Sequence, residues 1–221
     1  MRSTLSRAPE LWRVDDKGAK PVTEINDYSG VAFGAVRERW VALADGTKMQ
    51  ALVVTPPGFD AKRIGSAGAS FGGFMMNWFQ GHTRRFVALF CHDGISNQET
   101  MYGTEELWFP EHEFGGLPWA SDEYRKWSPM DAAKNFSTPE MIVHGERDYR
   151  VPVEQAYVMY SLLARKNVPA KMLVFPDENH WVLKPGNSRL WYASMIDWFH
   201  RWLGGAAADP KALESAFSVT R

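Results

Sequence analysis

Apolar and polar positions follow two different rhythms along this chain, and the change falls near residue 63. Before it, Arg39–Leu43 and Met49–Thr55 read as two strands on either side of Ala44-Asp45-Gly46-Thr47. An Asp-Gly pair between such runs predicts a hairpin, and Pro56-Pro57-Gly58 stops its second strand. Beyond residue 63, strands and helices take turns. Strand Arg63–Ala67 runs into a glycine-rich turn and a helix over Gly72–Gln80, and strand Phe86–His92 comes next. Met141–His144 reads as a strand ahead of helix Val153–Lys166, in which Val153, Ala156, Tyr157, Tyr160 and Leu163 share one face. Strand Ala170–Phe175 precedes helix Ser188–Leu203, where Trp191, Met195, Trp198 and Trp202 recur at helical spacing until Gly204-Gly205 ends the run. Asn97–Thr138 and the polar stretch ending in Pro21–Asp27 show no clear period. Repeated strand–helix units build a mostly parallel sheet covered by helices, so the class is α/β.

Composition narrows the function rather than the fold. The 221 residues are 45% hydrophobic and 23% charged, which suits one globular core, and ten Trp with thirteen Phe demand burial. A net charge of −1 gives no basic surface for nucleic acid. The single cysteine, Cys91, cannot form an internal disulfide and reads as a small buried hydrophobe. No run of apolar residues is long enough to span a membrane, and Met1–Arg13 lacks the apolar centre of a signal peptide, so the expected location is the cytoplasm.

The chemistry begins at Gly68-Ala69-Ser70-Phe71-Gly72-Gly73, between a predicted strand and a predicted helix. In a nucleophile elbow a serine sits on a strained strand-to-helix turn, with small neighbours where backbones crowd. That turn aims the Ser70 hydroxyl above the sheet and offers the Phe71 amide to a developing oxyanion. A rival reading makes the same turn a dinucleotide site, with Asp93 as the acidic residue about 20 positions on. Its spacing is not G-x-G-x-x-G, and it leaves Asp148 and His180 unexplained. Those two residues follow the strands ending near His144 and Phe175, while Ser70 follows the strand before Gly68. In a parallel sheet such strand ends lie along one edge, so all three converge. Ser, then Asp, then His is the α/β-hydrolase order. A serine hydroxyl needs an imidazole to take its proton, and a carboxylate to hold that imidazole's tautomer.

At these residues a resemblance becomes specific. Gly68–Met75 and His144-Gly145-Glu146-Arg147-Asp148-Tyr149-Arg150-Val151-Pro152 resemble the nucleophile and acid segments of the prolyl oligopeptidase family. Glu105–Pro110 and Glu178-Asn179-His180-Trp181 are similar to its dipeptidyl-peptidase and acylaminoacyl-peptidase branch. The resemblance implies a serine-type peptidase with Ser70 as nucleophile, His180 as base and Asp148 as orienting acid, acting on short peptides or esters without cofactor or metal. It implies residues 1–35 as the exit of a preceding β-propeller, 36–205 as the catalytic domain and 206–221 as a tail. Trp108 and Phe109 are candidates to line a substrate pocket, and Glu105, Glu106, Glu111 and Glu113 to meet a peptide amine, against a plain solvated acidic face. His112 stands outside any H-E-x-x-H pattern, so no zinc site is expected.

One departure matters. Family members carry two more strands and two helices between the hairpin and the nucleophile strand, about 55 residues at ordinary element lengths. Here Pro57-Gly58-Phe59-Asp60 runs straight into Ala61-Lys62-Arg63. The absent piece would hold the His-Gly-Gly loop that supplies a second oxyanion donor. The expectation is therefore an α/β-hydrolase-like sheet, truncated, with helices on both faces and exposed edges open to a second copy of the chain. The alternative to an active peptidase is a catalytically impaired fragment or pseudoenzyme that lacks the oxyanion loop and acts, if at all, by binding.

Overall fold

Short strands paired two by two make up the beginning of the chain. The computed structural model describes residues 2–4, 7–24, 34–55, 58–104 and 108–204. By its contacts the chain forms two units, Met1–Ala61 and Lys62–Arg221. In the first, β1 (Arg2–Thr4) pairs β2 (Arg7–Glu10), and β3 (Trp12–Asp15) pairs β4 (Gly18–Pro21), all antiparallel. These four strands are too short for an alternation to show in the sequence, although the Asp16-Lys17-Gly18 turn was a usable signal. The hairpin around Asp45-Gly46 forms as β5 (Ala35–Ala42) and β6 (Lys48–Thr55), starting four residues earlier than its polar first half suggests. Asp45 caps the turn by accepting the Thr47 N–H at 2.8 Å. The expected boundary near residue 35 falls inside this unit, just after segment 25–33, which lies outside the described residues.

The second unit is the α/β part. Four parallel strands run in the order β10-β9-β8-β7: β7 (Gly65–Ala69), β8 (Ala88–His92), β9 (Glu140–Gly145) and β10 (Ala170–Phe175). Every residue of β8 and β9 is buried, as expected for central strands covered on both faces. Helix α1 (Phe71–His82) follows β7, α2 (Trp108–Phe114) and α3 (Glu123–Lys126) lie in the long connection after β8, α4 (Glu154–Arg165) follows β9, and α5 (Pro185–Leu203) follows β10. Two 3-10 turns, Thr100–Gly103 and Pro129–Asn135, complete that connection, which the sequence left without a period.

Strand alternation decides which helix meets which face. Ala88 and Phe90 of β8 and Met141 and Val143 of β9 pack under α5 through Trp198, Met195, Trp191 and Trp202, the stripe predicted from spacing. Trp198 is buried and donates its indole N–H to the Leu89 carbonyl at 2.8 Å. Leu89 and Cys91 turn the other way onto Met76 of α1, and Ile142 onto Ala156, Met159 and Leu163 of α4. The α4 stripe is therefore centred on Met159; Tyr157, expected on that face, is turned outward. On its outer side β7 has no strand partner among the described residues, and β6 pairs only with β5. Among the described residues no helix is long and apolar enough to cross a membrane.

Candidate active site

Parallel strands deliver their C-terminal ends to one edge, and three of the expected residues follow such ends. Ser70 stands between β7 and α1 at φ 58°, ψ −117°, a conformation non-glycine residues adopt at a cost of order 1–3 kcal/mol. Its N–H donates to the His92 carbonyl and its carbonyl accepts from Phe74, each at 2.9 Å, so sheet and helix hold the turn from both sides. A Cβ on Gly68 would stand 2.2 Å from the Gly72 carbonyl oxygen, and one on Gly73 2.5 Å from that of His92. Gly72, the second glycine of the G-x-S-x-G pattern, has open space around it. Crowding thus requires glycine at 68 and 73 rather than at 68 and 72. Phe71 opens α1, so its N–H has no carbonyl one turn back within the helix to donate to.

Asp148 and His180 are brought together by the close approach of two loops. A Cβ on Gly145 would stand 2.1 Å from the Asn179 carbonyl oxygen, and the Arg147 N–H donates to the Glu178 carbonyl at 3.0 Å. Asp148 is buried; its Oδ1 accepts the N–H groups of Arg150 and Val151 at 2.9 Å each, which leaves Oδ2 for the Nδ1–H of His180 at 2.6 Å. The Nδ1 proton is thereby set, and Nε2 keeps its lone pair. Burial alone would pull His180 down, but the bond and charge of Asp148 and the charge of Asp93 raise it above the ordinary histidine value, with Arg150 opposing. Glu178 steadies the loop by accepting from the N–H groups of Leu183 and Lys184 and from Asn187 Nδ2. Ser70 Oγ and His180 are not hydrogen-bonded to each other, a looseness ordinary in the absence of substrate.

Ser70 opens onto a cavity of about 740 Å³ walled by Phe71, Phe74, Trp78, Met101, Phe109 and Trp127. Of the two aromatic candidates Phe109 lines it, whereas Trp108 does not and is two-thirds exposed. Glu113 lines it too, Glu111 accepts the Tyr102 hydroxyl at 3.0 Å, and Glu105 and Glu106 lie outside the described residues. Sequence reasoning missed Phe74, Trp78, Met101 and Trp127, because α1 and the aperiodic connection meet only in three dimensions.

Asp93 proves to be buried at the end of β8 rather than presented to solvent, which removes it as a ribose ligand. Asp93, His144 and Asp148 hold possible metal-ligand atoms within 4.8 Å of one another. Gly145 already donates to Asp93 Oδ1, His144 Nε2 already meets the Val151 carbonyl, and both oxygens of Asp148 are engaged, so the cluster reads as a hydrogen-bond network.

A parallel sheet flanked by helices, with a serine on a positive-φ elbow and a His–Asp pair on the same edge, defines a truncated α/β-hydrolase fold. The chain belongs to the prolyl oligopeptidase family, whose model matches residues 42–206. It is 46% identical over 162 residues to the probable dipeptidyl-peptidase 5 of Aspergillus terreus, covering 71% of this chain and 22% of that protein. It is 43% identical over 143 residues to the dipeptidyl-peptidase 5 of Schizosaccharomyces pombe, covering 63% and 21%. The chain therefore spans about a fifth of the length of these relatives. Among solved structures, uncomplexed Pyrococcus horikoshii acylaminoacyl peptidase matches with TM-score 0.64 at 28% identity, over 72% of this chain and 27% of that one. An orthorhombic crystal form of that peptidase matches with TM-score 0.81 at 19% identity, over 98% and 49%, a likeness of fold.

Proposed function

We propose that this chain is a serine-type peptidase that cleaves short peptides by acyl transfer, with Ser70 as nucleophile, His180 as general base and Asp148 as the carboxylate that orients the base. The observation that carries the reading is the 2.6 Å His180–Asp148 bond on the sheet edge that also carries Ser70 at φ 58°. His180 Nε2 takes the Ser70 proton as Oγ attacks the scissile carbonyl. The Phe71 N–H donates to the oxyanion, and the imidazolium returns the proton to the departing amine or alcohol. Water, deprotonated in turn by His180, then releases the acyl group. The aromatic cavity beside Ser70 favours substrates with a bulky apolar side chain next to the cleaved bond. Relatives named as dipeptidyl and acylaminoacyl peptidases support a peptide substrate.

A second reading, a hydrolase impaired toward amides, is favoured by the short connection of residues 56–64 between β6 and β7. It leaves the Phe71 amide as the evident oxyanion donor, and one missing donor costs about 10²–10³ in rate. Assays of p-nitrophenyl esters against dipeptidyl amides separate the two. An efficient peptidase reaches about 10⁴ M⁻¹s⁻¹ or more in kcat/KM on the amides. An impaired one turns over only the esters. Activity on both that survives Ser70→Ala would refute the acyl-transfer reading.

A further inference from the structure

Behind His180 lies a second buried carboxylate that the acyl-transfer steps above do not use. Asp93 follows β8 directly at φ 48°, with its N–H bonded to the Val143 carbonyl at 3.0 Å, and is 1% exposed. Its Oδ1 accepts the Gly145 N–H at 3.3 Å and lies 3.7 Å from His144 Nδ1. Its Oδ2 lies 3.7 Å from His180 Nδ1, the atom Asp148 also holds. His92 Nε2 comes within 2.8 Å of the same oxygen but is not aligned to donate, so Oδ2 has no hydrogen bond. A buried carboxylate with an unbonded oxygen is unfavourable unless positive charge stands near it. Three imidazoles surround this one.

We propose that Asp93 is a positioning residue for this reaction: a second carboxylate that, with Asp148, stabilises the imidazolium His180 becomes when it takes the Ser70 proton. The inference rests on the acyl-transfer reading. The carboxylate is already in place and dry, so it acts on the new positive charge without having to reorganise. His144 forms the bridge behind: its Nε2–H donates to the Val151 carbonyl at 2.7 Å, and its ring lies 3.7 Å from Asp93 and 3.6 Å from Asp148. The charged groups acting on His180 are Asp93 from the end of β8 and Asp148 and Arg150 from the loop after β9, with His92 beside Asp93 and His144 beside both carboxylates. On its own loop Asp177 and Glu178 are turned to Lys184 and Asn187. The net raising of His180, to which Asp93 contributes alongside Asp148, agrees with this geometry.

The test is the pH titration of the His180 imidazole by NMR on the whole chain, assigned by loss of its signal in His180→Gln. Asp93→Asn keeps the shape and tolerates the left-handed backbone; it should lower the His180 midpoint by about one unit. The acid limb of Ser70 labelling by a fluorophosphonate should move down with it. An unchanged midpoint in folded Asp93→Asn overturns the proposal, even if labelling is lost, because a merely structural role would lose labelling without moving the titration. Should Asp93→Asn not fold, Asp93→Gly, which the left-handed backbone also accepts, decides: a His180 midpoint below the wild-type value supports Asp93, and an unchanged one overturns it. The titration stands whether or not wild-type Ser70 reacts, so absent labelling would count against the acyl-transfer reading alone.

Discussion

Strands β6 and β9 make the most instructive comparison in the molecule. β6 (KMQALVVT) is at least as apolar as β9 (EMIVHG), and both lie in regular ladders. Yet Leu52, Val53 and Val54 are 55%, 42% and 41% exposed, whereas Ile142 and Val143 are 1% and 0%. Within Met1–Ala61 the described elements are two-stranded ribbons, and an isolated hairpin is marginal in water. Within Lys62–Arg221, α1 and α4 cover one face of the sheet and α5 the other. Pairing alone does not bury a strand; helices on both faces do, and the chemistry is built where they do.

The largest contrast lies at the elbow. Gly68→Ala sets a methyl 2.2 Å from the Gly72 carbonyl oxygen and should cost more than about 4 kcal/mol, seen as loss of the cooperative melt and of activity. Gly72→Ala, in open space, should change stability by less than about 1 kcal/mol. Equal effects at the two positions would mean the elbow is not packed as described.

Next in size is the direct comparison of strands. Ile142→Ala should destabilise by about 2–5 kcal/mol in denaturant titration, and Leu52→Ala by about 0.5 kcal/mol or less. Hydrogen exchange sharpens the same point: amides of β8 and β9 should exchange only on global unfolding, and those of β5–β6 much sooner. A Leu52→Ala cost as large as that of Ile142→Ala would break the comparison.

Glu140 gives a smaller, pH-dependent effect at the buried start of β9. Burial pushes it up to about 8, opposed by the Gln80 amide at 2.9 Å. Between its ordinary value of 4.5 and about 8 the unfolded chain releases a proton that the folded one retains, so stability falls as pH rises through that window. Glu140→Gln should remove most of this fall, which is about 3 kcal/mol near pH 7, and leave the melt at pH 4.5 nearly unchanged. A wild-type melt that is flat between pH 4.5 and 8 would contradict a buried, protonated Glu140.

How much of this was legible in the sequence depends on whether a signal is local. Ala170–Phe175 is read to the residue, and the Trp191–Met195–Trp198–Trp202 stripe marks the buried face of α5, because period and size both sit in one segment. Asp148 and His180 are visible because each follows a strand end, and the parallel order brings such ends together. The network of Asp93 and His144 is not visible. It depends on the register that sets His92 beside Val143, and on Asp93 turning inward at φ 48°. Asp93 stands out in the sequence only as the acidic residue of a dinucleotide pattern. The wall of the cavity escapes for the same reason, since Trp78 and Trp127 come from segments far apart in the chain and meet 5.3 Å apart.

The pH dependence of activity is the finest prediction. His180 must be neutral to accept a proton and is held above the ordinary histidine value, so ester hydrolysis should fall away on acidification with a midpoint above about 6.5. Asp148→Asn should move that midpoint down as it lowers the rate. A limb at or below the ordinary value in the wild type would separate the base from its two carboxylates.

The central claim, that Ser70, His180 and Asp148 form a working acyl-transfer site, is tested most directly by fluorophosphonate labelling followed by intact-mass and peptide mapping. The account predicts a single adduct on Ser70, formed faster as pH rises through the His180 transition, and absent from Ser70→Ala and His180→Gln. No adduct on the folded wild-type chain, or one on another residue, would contradict it.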